Sequence, residues 1–455
     1  MRPMKRSLGH CLSPLVLFLP GKGRSMFSHS RDAFAAMMAG RGIHYGWAMV
    51  VLAFLHAVFA SAAMGVPSVL IVPMSEDLGW SLGELSAPQG LRLALFGLTA
   101  PFAGGLMLRY GPRAMITVAG ACLVVGLYLA VTTTTKWQLW LGQGILLGIA
   151  PGLTASQISS VIASRWFKDR QGMVLGVLGG TSAAGMLLFM PLAGWVSLGW
   201  GWRIAMSIPM AGAVVSWLLF VWLARDRPQE IGLPLYGETE VQPTPPPYRT
   251  NFVRLSFSAL SMGSKRWVFW VLVFSFGICG VSSFGLTSSH LVPFCGELGV
   301  PYGTAAWVLA TIGVFDLIGT IGSGWLSDRF DNRWLLGWYY GLRGLSLIWL
   351  VYANPSFAVL SIFAIVYGLD FIATLPPTIR LTVGAFGREM GPAVFGWIFA
   401  SHHVAAGLMA FGAGVSRDAI GTYVPAFLFA GILCLFATAS FFFLRKSALQ
   451  IPATA

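Results

Sequence analysis

Four ionisable residues interrupt long apolar stretches of this 455-residue chain: Arg92, Asp316, Arg343 and Asp370. If those stretches cross a membrane, each such residue costs roughly 2.5–3.5 kcal/mol on insertion scales and needs a partner or a wet cavity. An arginine can hold a carboxylate through two parallel hydrogen bonds. An intramembrane carboxyl can relay a proton. These residue types therefore predict anion binding together with proton movement.

Arg92 is the strongest candidate for an anion anchor. Ser86, Gln89 and Arg92 are spaced by three, so they share one face of a helix. A polar face on a membrane helix is expected to line a cavity, which makes Arg92 and Gln89 candidate substrate-binding residues. The alternative is an arginine that extends to the membrane surface or forms a structural ion pair.

The other candidates lie in the second half of the chain. Asp316, with Thr320 one turn later, is a candidate proton carrier; its alternative is a permanent ion pair with Arg343. Arg343 is expected either to contact substrate or to be the structural partner of Asp316 or Asp370. His403 titrates near physiological pH when unperturbed and is a weaker proton-coupling candidate.

Asp370 is a candidate gate or proton site. It shares a helix face with Tyr367, a further candidate substrate-binding residue. Pro376 and Pro377 follow and should kink this helix, because proline removes a hydrogen-bond donor and clashes with the preceding turn. A kinked helix with a polar face is a plausible gate.

Apolar helices must position these residues. Hydrophobic residues make up 56% of the chain and charged residues only 10%, against about 25% charged in soluble proteins. Twelve apolar segments of about 20 residues, the length that spans a bilayer, run from 46–72 to 421–444. A polar, proline-rich linker, 225–266, separates the first six segments from the last six. We predict an all-α membrane protein with two pseudo-symmetric six-helix bundles, 43–224 and 267–444.

The excess of positive charge predicts the orientation. The chain has 29 Lys and Arg against 16 Asp and Glu, a net charge of +13. Most of the basic residues lie in the tail 1–42, in the linker and in alternate loops. Basic loops are cytoplasmic, so both termini, including 445–455, are expected there, and no nucleic-acid partner is needed. Compact loops favour a bacterial inner membrane.

The tail 1–42 is expected to be flexible. Its apolar run, 11–20, is too short to span a membrane. The alternatives are a cleaved signal peptide, or a true start at Met26 or Met37.

The two halves repeat a loop motif. Gly104-Gly-Leu-Met-Leu-Arg-Tyr-Gly-Pro-Arg113 follows the second apolar segment, and Gly324-Trp-Leu-Ser-Asp-Arg-Phe-Asp-Asn-Arg333 follows the eighth. The pair resembles the Gly-x-Leu-x-Asp-Arg-x-Gly-x-Arg signature of the major facilitator superfamily. The resemblance implies a twelve-helix transporter in which these loops lock the cytoplasmic helix ends, through Arg109, Arg113, Asp328, Arg329 and Arg333.

A narrower resemblance is to the monocarboxylate and oxalate transporters of that superfamily. It is carried by His44-Tyr-Gly-Trp47, Ser164-Arg-Trp-Phe167 and Gly201-Trp-Arg203. Asp316 stands where the monocarboxylate carriers place an intramembrane Asp, but Thr320 stands where they have Arg. Leu108 likewise replaces the acid of the first loop signature.

We therefore expect a secondary active transporter of a small organic anion, a monocarboxylate, that works by alternating access with a proton as a possible co-substrate. An efflux carrier for amphipathic compounds is the first alternative, and a non-transporting membrane sensor or scaffold is the second. The sequence predicts no enzyme, no cofactor and no metal. The expected partners are the substrate, a proton and the lipid bilayer, with a monomer favoured.

Overall fold

The computed structural model describes residues 26–154, 158–243 and 251–443. The expectations for residues 1–25, for the prolines 245–247 and for the tail 445–455 fall outside these ranges. Within the tail that was expected to be flexible, Met26–Gly40 forms a helix. The described residues from His44 onwards form a separate compact unit, to which the rest of this description applies.

Helices dominate the unit, and twelve segments follow the predicted order. The first six are α1 (Gly46–Val69), α2 (Leu82–Met107), α3 (Arg109–Val131), α4 (Lys136–Leu139, Trp140–Leu146, Leu147–Thr154 and Ile158–Trp166), α5 (Gln171–Gly179 and Thr181–Trp200) and α6 (Trp202–Leu223). The second six are α7 (Trp267–Glu297), α8 (Tyr302–Ser327), α9 (Asn332–Tyr352), α10 (Phe357–Gly387), α11 (Met390–Ile420) and α12 (Val424–Phe443).

Nine of these helices, within the described residues, are long and apolar enough to cross a membrane. The other three are α4 and α5, whose described parts are interrupted, and α9, which carries Arg343 in its middle. The predicted all-α, twelve-helix, two-bundle fold is confirmed. Within the linker, the structure adds a helix at Phe252–Ser264.

Local residue choices explain several helix ends. Ser81 caps α2 by accepting from the Glu84 amide, while the Glu84 side chain accepts from the Ser81 amide. Gly111, close to the start of α3, and Gly387, the last residue of α10, lie at the α2–α3 and α10–α11 connections, each with a positive φ near 80°. That conformation is readily open only to glycine, so the two connections can turn without a long loop.

Each half has a large apolar core, and the halves meet most extensively where α2 packs against α11 and α5 packs against α8. On the first pair, a Cβ atom on either Gly90 or Gly407 would collide with the carbonyl oxygen of the other. Because glycine has no side chain, the two backbones can touch here, as they do where small residues lie at membrane helix crossings.

The linker helix Phe252–Ser264 contacts both halves. Ser256 Oγ donates to the Pro101 carbonyl of α2 at 2.6 Å, and the Ser256 carbonyl accepts from Trp397 Nε1 of α11 at 2.9 Å. We call the end of the bundle that carries residues 225–266 the linker side, and the opposite end the far side. On the far side, the Gly83 amide of α2 donates to Asp418 Oδ2 of α11 at 2.8 Å.

Candidate functional site

A cavity of about 120 Å³ lies between the two halves. It has room for on the order of ten waters, or for one small organic molecule. Its described lining includes His56, Ser61, Met64, Ser68, Arg92, Leu93, Phe96, Thr154, Thr181 and Met190 from the first half, and Phe284, Ser288, Ser289, Asp316, Ile372 and His403 from the second. Both halves therefore build one site, as expected where substrate binds between bundles.

Arg92 is the cation of this lining. It extends from α2, whose backbone packs closely against Gly148 of α4. Its side chain is only 1% exposed, and the Nε and Nη1 atoms have no hydrogen-bond partner. A buried charge without a partner is strongly unfavourable. Arg92 therefore has two guanidinium N–H groups that can still donate to an anion.

Asp316 lines the cavity from α8. Its Oδ1 atom accepts from the Ile372 amide of α10 at 2.9 Å and from Thr320 Oγ1 at 3.2 Å. The carboxyl is 8% exposed. It faces the cavity that Arg92 enters from the other half, so the site holds one group that can bind an anion and one that can exchange a proton.

His403 forms part of an aromatic wall. Its ring centroid lies 4.5 Å from that of Phe96 in the first half, 4.4 Å from that of Phe399 and 5.7 Å from that of Phe284. Its Nδ1 atom lies 3.2 Å from the Phe399 carbonyl. These rings give the cavity an apolar side next to the polar groups.

Four predicted site residues lie outside the described lining of the cavity. Gln89 accepts from Ser68 Oγ at 3.3 Å and so ties α2 to α1. Tyr367 donates to the Ser282 carbonyl at 2.6 Å. The other two, Arg343 and Asp370, form an ion pair with each other behind the cavity, Nε to Oδ2 at 2.7 Å.

The loops expected to act as locks make contacts on the linker side. Asp328 pairs with Arg380 of α10. Arg329 stacks over Trp325 at 4.0 Å, Arg109 lies over Tyr110 at 5.3 Å, and Arg333 pairs with Asp331 at 2.6 Å. In the first half, the Arg113 amide donates to Asp226 Oδ1 at 2.9 Å. Asp226, which follows α6, therefore supplies a carboxylate to a loop whose signature acid is absent.

Two polar groups that line the cavity are not among the residues predicted from the sequence. His56 of α1 is buried and its Nδ1 atom has no partner; the Ser288 Oγ atom of α7 also lacks one. The signal for His56 was a lone imidazole in an otherwise apolar helix. Ser288 gave no signal, because serine is common in membrane helices.

Comparisons with known proteins agree with this architecture. Residues 52–299 match the family model described as Major Facilitator Superfamily. The chain is similar to monocarboxylate transporter 13 of Rattus norvegicus, with 24% identity over 86% of this chain and 87% of that protein. It is also similar to the uncharacterised MFS-type transporter YcxA of Bacillus subtilis (strain 168), with 21% identity over 83% and 90%.

Solved structures show the same fold. A bacterial homologue of the human lysosomal transporter Spinster, in an inward-facing and occupied conformation, aligns with a TM-score of 0.67 at 17% identity. The alignment covers 88% of this chain and 96% of that one. The unoccupied form of that protein aligns with a TM-score of 0.68.

Proposed function

Because this chain belongs to the Major Facilitator Superfamily, and is thus a membrane transporter, we propose that it carries a small organic anion, a monocarboxylate, together with a proton. The observation that supports this cargo is Arg92: a buried guanidinium with unpartnered Nε and Nη1 atoms in a cavity between the halves. A carboxylate can accept from two guanidinium nitrogens at once. The single cation of the described lining matches a single carboxylate.

The size and lining of the cavity favour a compact monocarboxylate. Phe96, Phe284 and Met190 offer an apolar surface for the rest of the molecule, and Ser288 offers a hydroxyl with a free Oγ. In this proposal Asp316 carries the proton, because it is the carboxyl of the described lining. Movement of the proton with the anion keeps the site neutral in both states. In the empty site the charge of Arg92 is balanced by ionised Asp316, and in the loaded site it is balanced by the bound anion while Asp316 is protonated.

The packing supports alternating access as the transport mechanism. The Gly83–Asp418 hydrogen bond joins the halves on the far side. Towards the linker side, a Cβ atom on Gly176 or Gly179 of α5, or on Gly322 or Gly324 of α8, would meet nothing within 4 Å. We propose that these glycine surfaces come together when the bundles rock and the far side opens. In the proposed orientation, the linker side is cytoplasmic and the membrane is a bacterial inner membrane.

Uptake of radiolabelled L-lactate into proteoliposomes that contain the full chain tests this proposal. An inward proton gradient should accelerate uptake. Arg92→Gln should lower uptake efficiency about tenfold or more, because it removes a charged hydrogen-bonding partner. The matched control is Arg254→Gln, which changes an exposed arginine of the linker helix. Equal uptake by wild type and Arg92→Gln would remove the support for an anion site.

An efflux carrier for amphipathic compounds is the second candidate. The observation in its favour is the apolar part of the lining, which includes Met64, Leu93 and Phe96 as well as Phe284. The two candidates differ in their dependence on Arg92. Export of a neutral amphipathic dye that is unaffected by Arg92→Gln, with no lactate uptake, favours the efflux carrier.

A further inference from the structure

Helix α10 is broken in the middle of the second bundle. Regular helix ends at Asp370 and resumes at Leu375. Pro376 and Pro377 have no N–H group, so the carbonyls of Ile372 and Ala373 lose their usual helical donors. The Leu375 amide instead turns back to the Ile372 carbonyl at 2.8 Å. The segment 371–374 thus has backbone groups that other helices must satisfy.

Neighbouring helices supply those partners. From α9, Arg343 Nη2 donates to the Asp370 carbonyl and to the Phe371 carbonyl, the latter at 3.0 Å. From α8, Ser323 Oγ donates to the Ala373 carbonyl at 2.5 Å. Also from α8, Asp316 Oδ1 accepts from the Ile372 amide at 2.9 Å. Side chains on two helices therefore clamp the break through its backbone.

One clamp differs from the others in its position. Asp316 lines the cavity, whereas Arg343 and Ser323 lie outside its described lining. The residue that Asp316 holds, Ile372, also lines the cavity with its side chain. A change at the Asp316 carboxyl therefore acts directly on a cavity wall and on the break in α10.

We propose that the break at 371–374 is a hinge and that Asp316 is the positioning residue that releases it. When the carboxyl takes up a proton and turns to donate it to a ligand, its bond to the Ile372 amide is lost. The two halves of α10 then move relative to each other, while Arg343 and its partner Asp370 stay fixed. The ionisable groups around Asp316 are Arg343 and Cys279 near the break, and Arg92, His56 and His403 around the cavity.

The proposal rests on the proposed function in one respect: binding of the substrate and the proton is the event that releases the clamp. The clamp itself does not depend on a substrate. Hydrogen–deuterium exchange of the full chain in lipid nanodiscs tests the clamp without any substrate. Asp316→Ala removes the acceptor and should speed exchange of the amides 371–375 about tenfold. Asp316→Asn keeps an oxygen acceptor and should restore slow exchange to within about twofold of wild type. The matched control, Thr320→Val, removes the other donor to Asp316 and should leave those amides unchanged.

Unchanged exchange at 371–375 in Asp316→Ala overturns the hinge proposal, as does equally fast exchange in Asp316→Asn. If Asp316→Ala does not fold, Ser323→Ala decides: it removes the α8 donor to Ala373, so exchange of the same amides must rise, and unchanged exchange overturns the proposal. Added L-lactate should raise exchange at 371–375 in wild type but not in Asp316→Asn. If calorimetry shows that lactate does not bind, the proposed cargo fails, while the results with the variants still decide the hinge.

Discussion

Arg343 Nε lies 2.7 Å from Asp370 Oδ2, and this ion pair joins α9 to α10 inside the second bundle. Both residues are buried, at 1% and 5% exposure. The Arg343 guanidinium also donates to the Phe371 carbonyl, and its Nη1 atom lies 2.9 Å from Cys279 Sγ. With these contacts, Arg343 satisfies the backbone of a broken helix, and its charge is neutralised without a ligand.

Breaking this pair should destabilise the protein more than removing it. Arg343→Met leaves Asp370 as a lone buried carboxyl, and loss of one member of a buried pair costs about 3–5 kcal/mol. The double variant Arg343→Met/Asp370→Leu leaves no unpaired charge and should recover part of that loss. Thermal unfolding of the three proteins in detergent measures the difference. A double variant no more stable than Arg343→Met contradicts this account.

The contact between α2 and α11 should not tolerate a side chain at Gly407. A methyl group there meets the Gly90 carbonyl oxygen, and overpacking costs about 1–3 kcal/mol. We expect Gly407→Ala to lower the unfolding temperature and to slow uptake. Gly412→Ala on the same helix is the control, because its Cβ would meet nothing within 4 Å. Equal effects of the two substitutions would show that the close approach does not matter.

Composition and apolar segment length were enough to predict the twelve helices, because the bilayer imposes both. The same reasoning selected Arg92, Asp316 and His403, which the structure brings to one cavity. Each is an ionisable residue inside an apolar helix, so each required either a polar partner or a cavity.

The directions of other side chains could not be predicted from helix spacing. Gln89 shares a face with Arg92 but turns to Ser68 of α1, because that helix crosses at its level. Arg343 could have paired with Asp316 or Asp370, and only the packing of α9 against α10 decides for Asp370. Both choices depend on contacts between helices that are distant in sequence.

Closure of the far side should depend on Asp418. Its Oδ2 atom accepts from the Gly83 amide, and loss of one hydrogen bond to a charged group shifts an equilibrium by on the order of tenfold. Asp418→Ala should therefore expose the cavity to the far side, whereas Asp418→Asn keeps an acceptor and should not. The exposure is measured with Ser68→Cys in a background without the five native cysteines. Ser68 lines the cavity, so an impermeant maleimide added on the far side labels this cysteine only when the far side is open. If Asp418→Ala leaves the rate of labelling unchanged, other contacts close the far side.

Asp77, which contacts Trp202 and Arg203 at the start of α6, should make the stability of the protein depend on pH. It lies between α1 and α2, and hydrogen bonds from Trp202, at 3.0 Å, and from Arg203 lower the pKa of its carboxyl below the usual value. A lowered pKa means that the ionised form is favoured in the fold, so this contribution to stability is present above the ordinary pKa of Asp and is lost as pH falls through the lowered one. Asp77→Asn should therefore lower the unfolding temperature at neutral pH and have less effect in acid. Glu76→Gln, a change at the neighbouring exposed residue, is the control. A difference between Asp77→Asn and wild type that is the same at both pH values would mean that the charge of Asp77 contributes nothing.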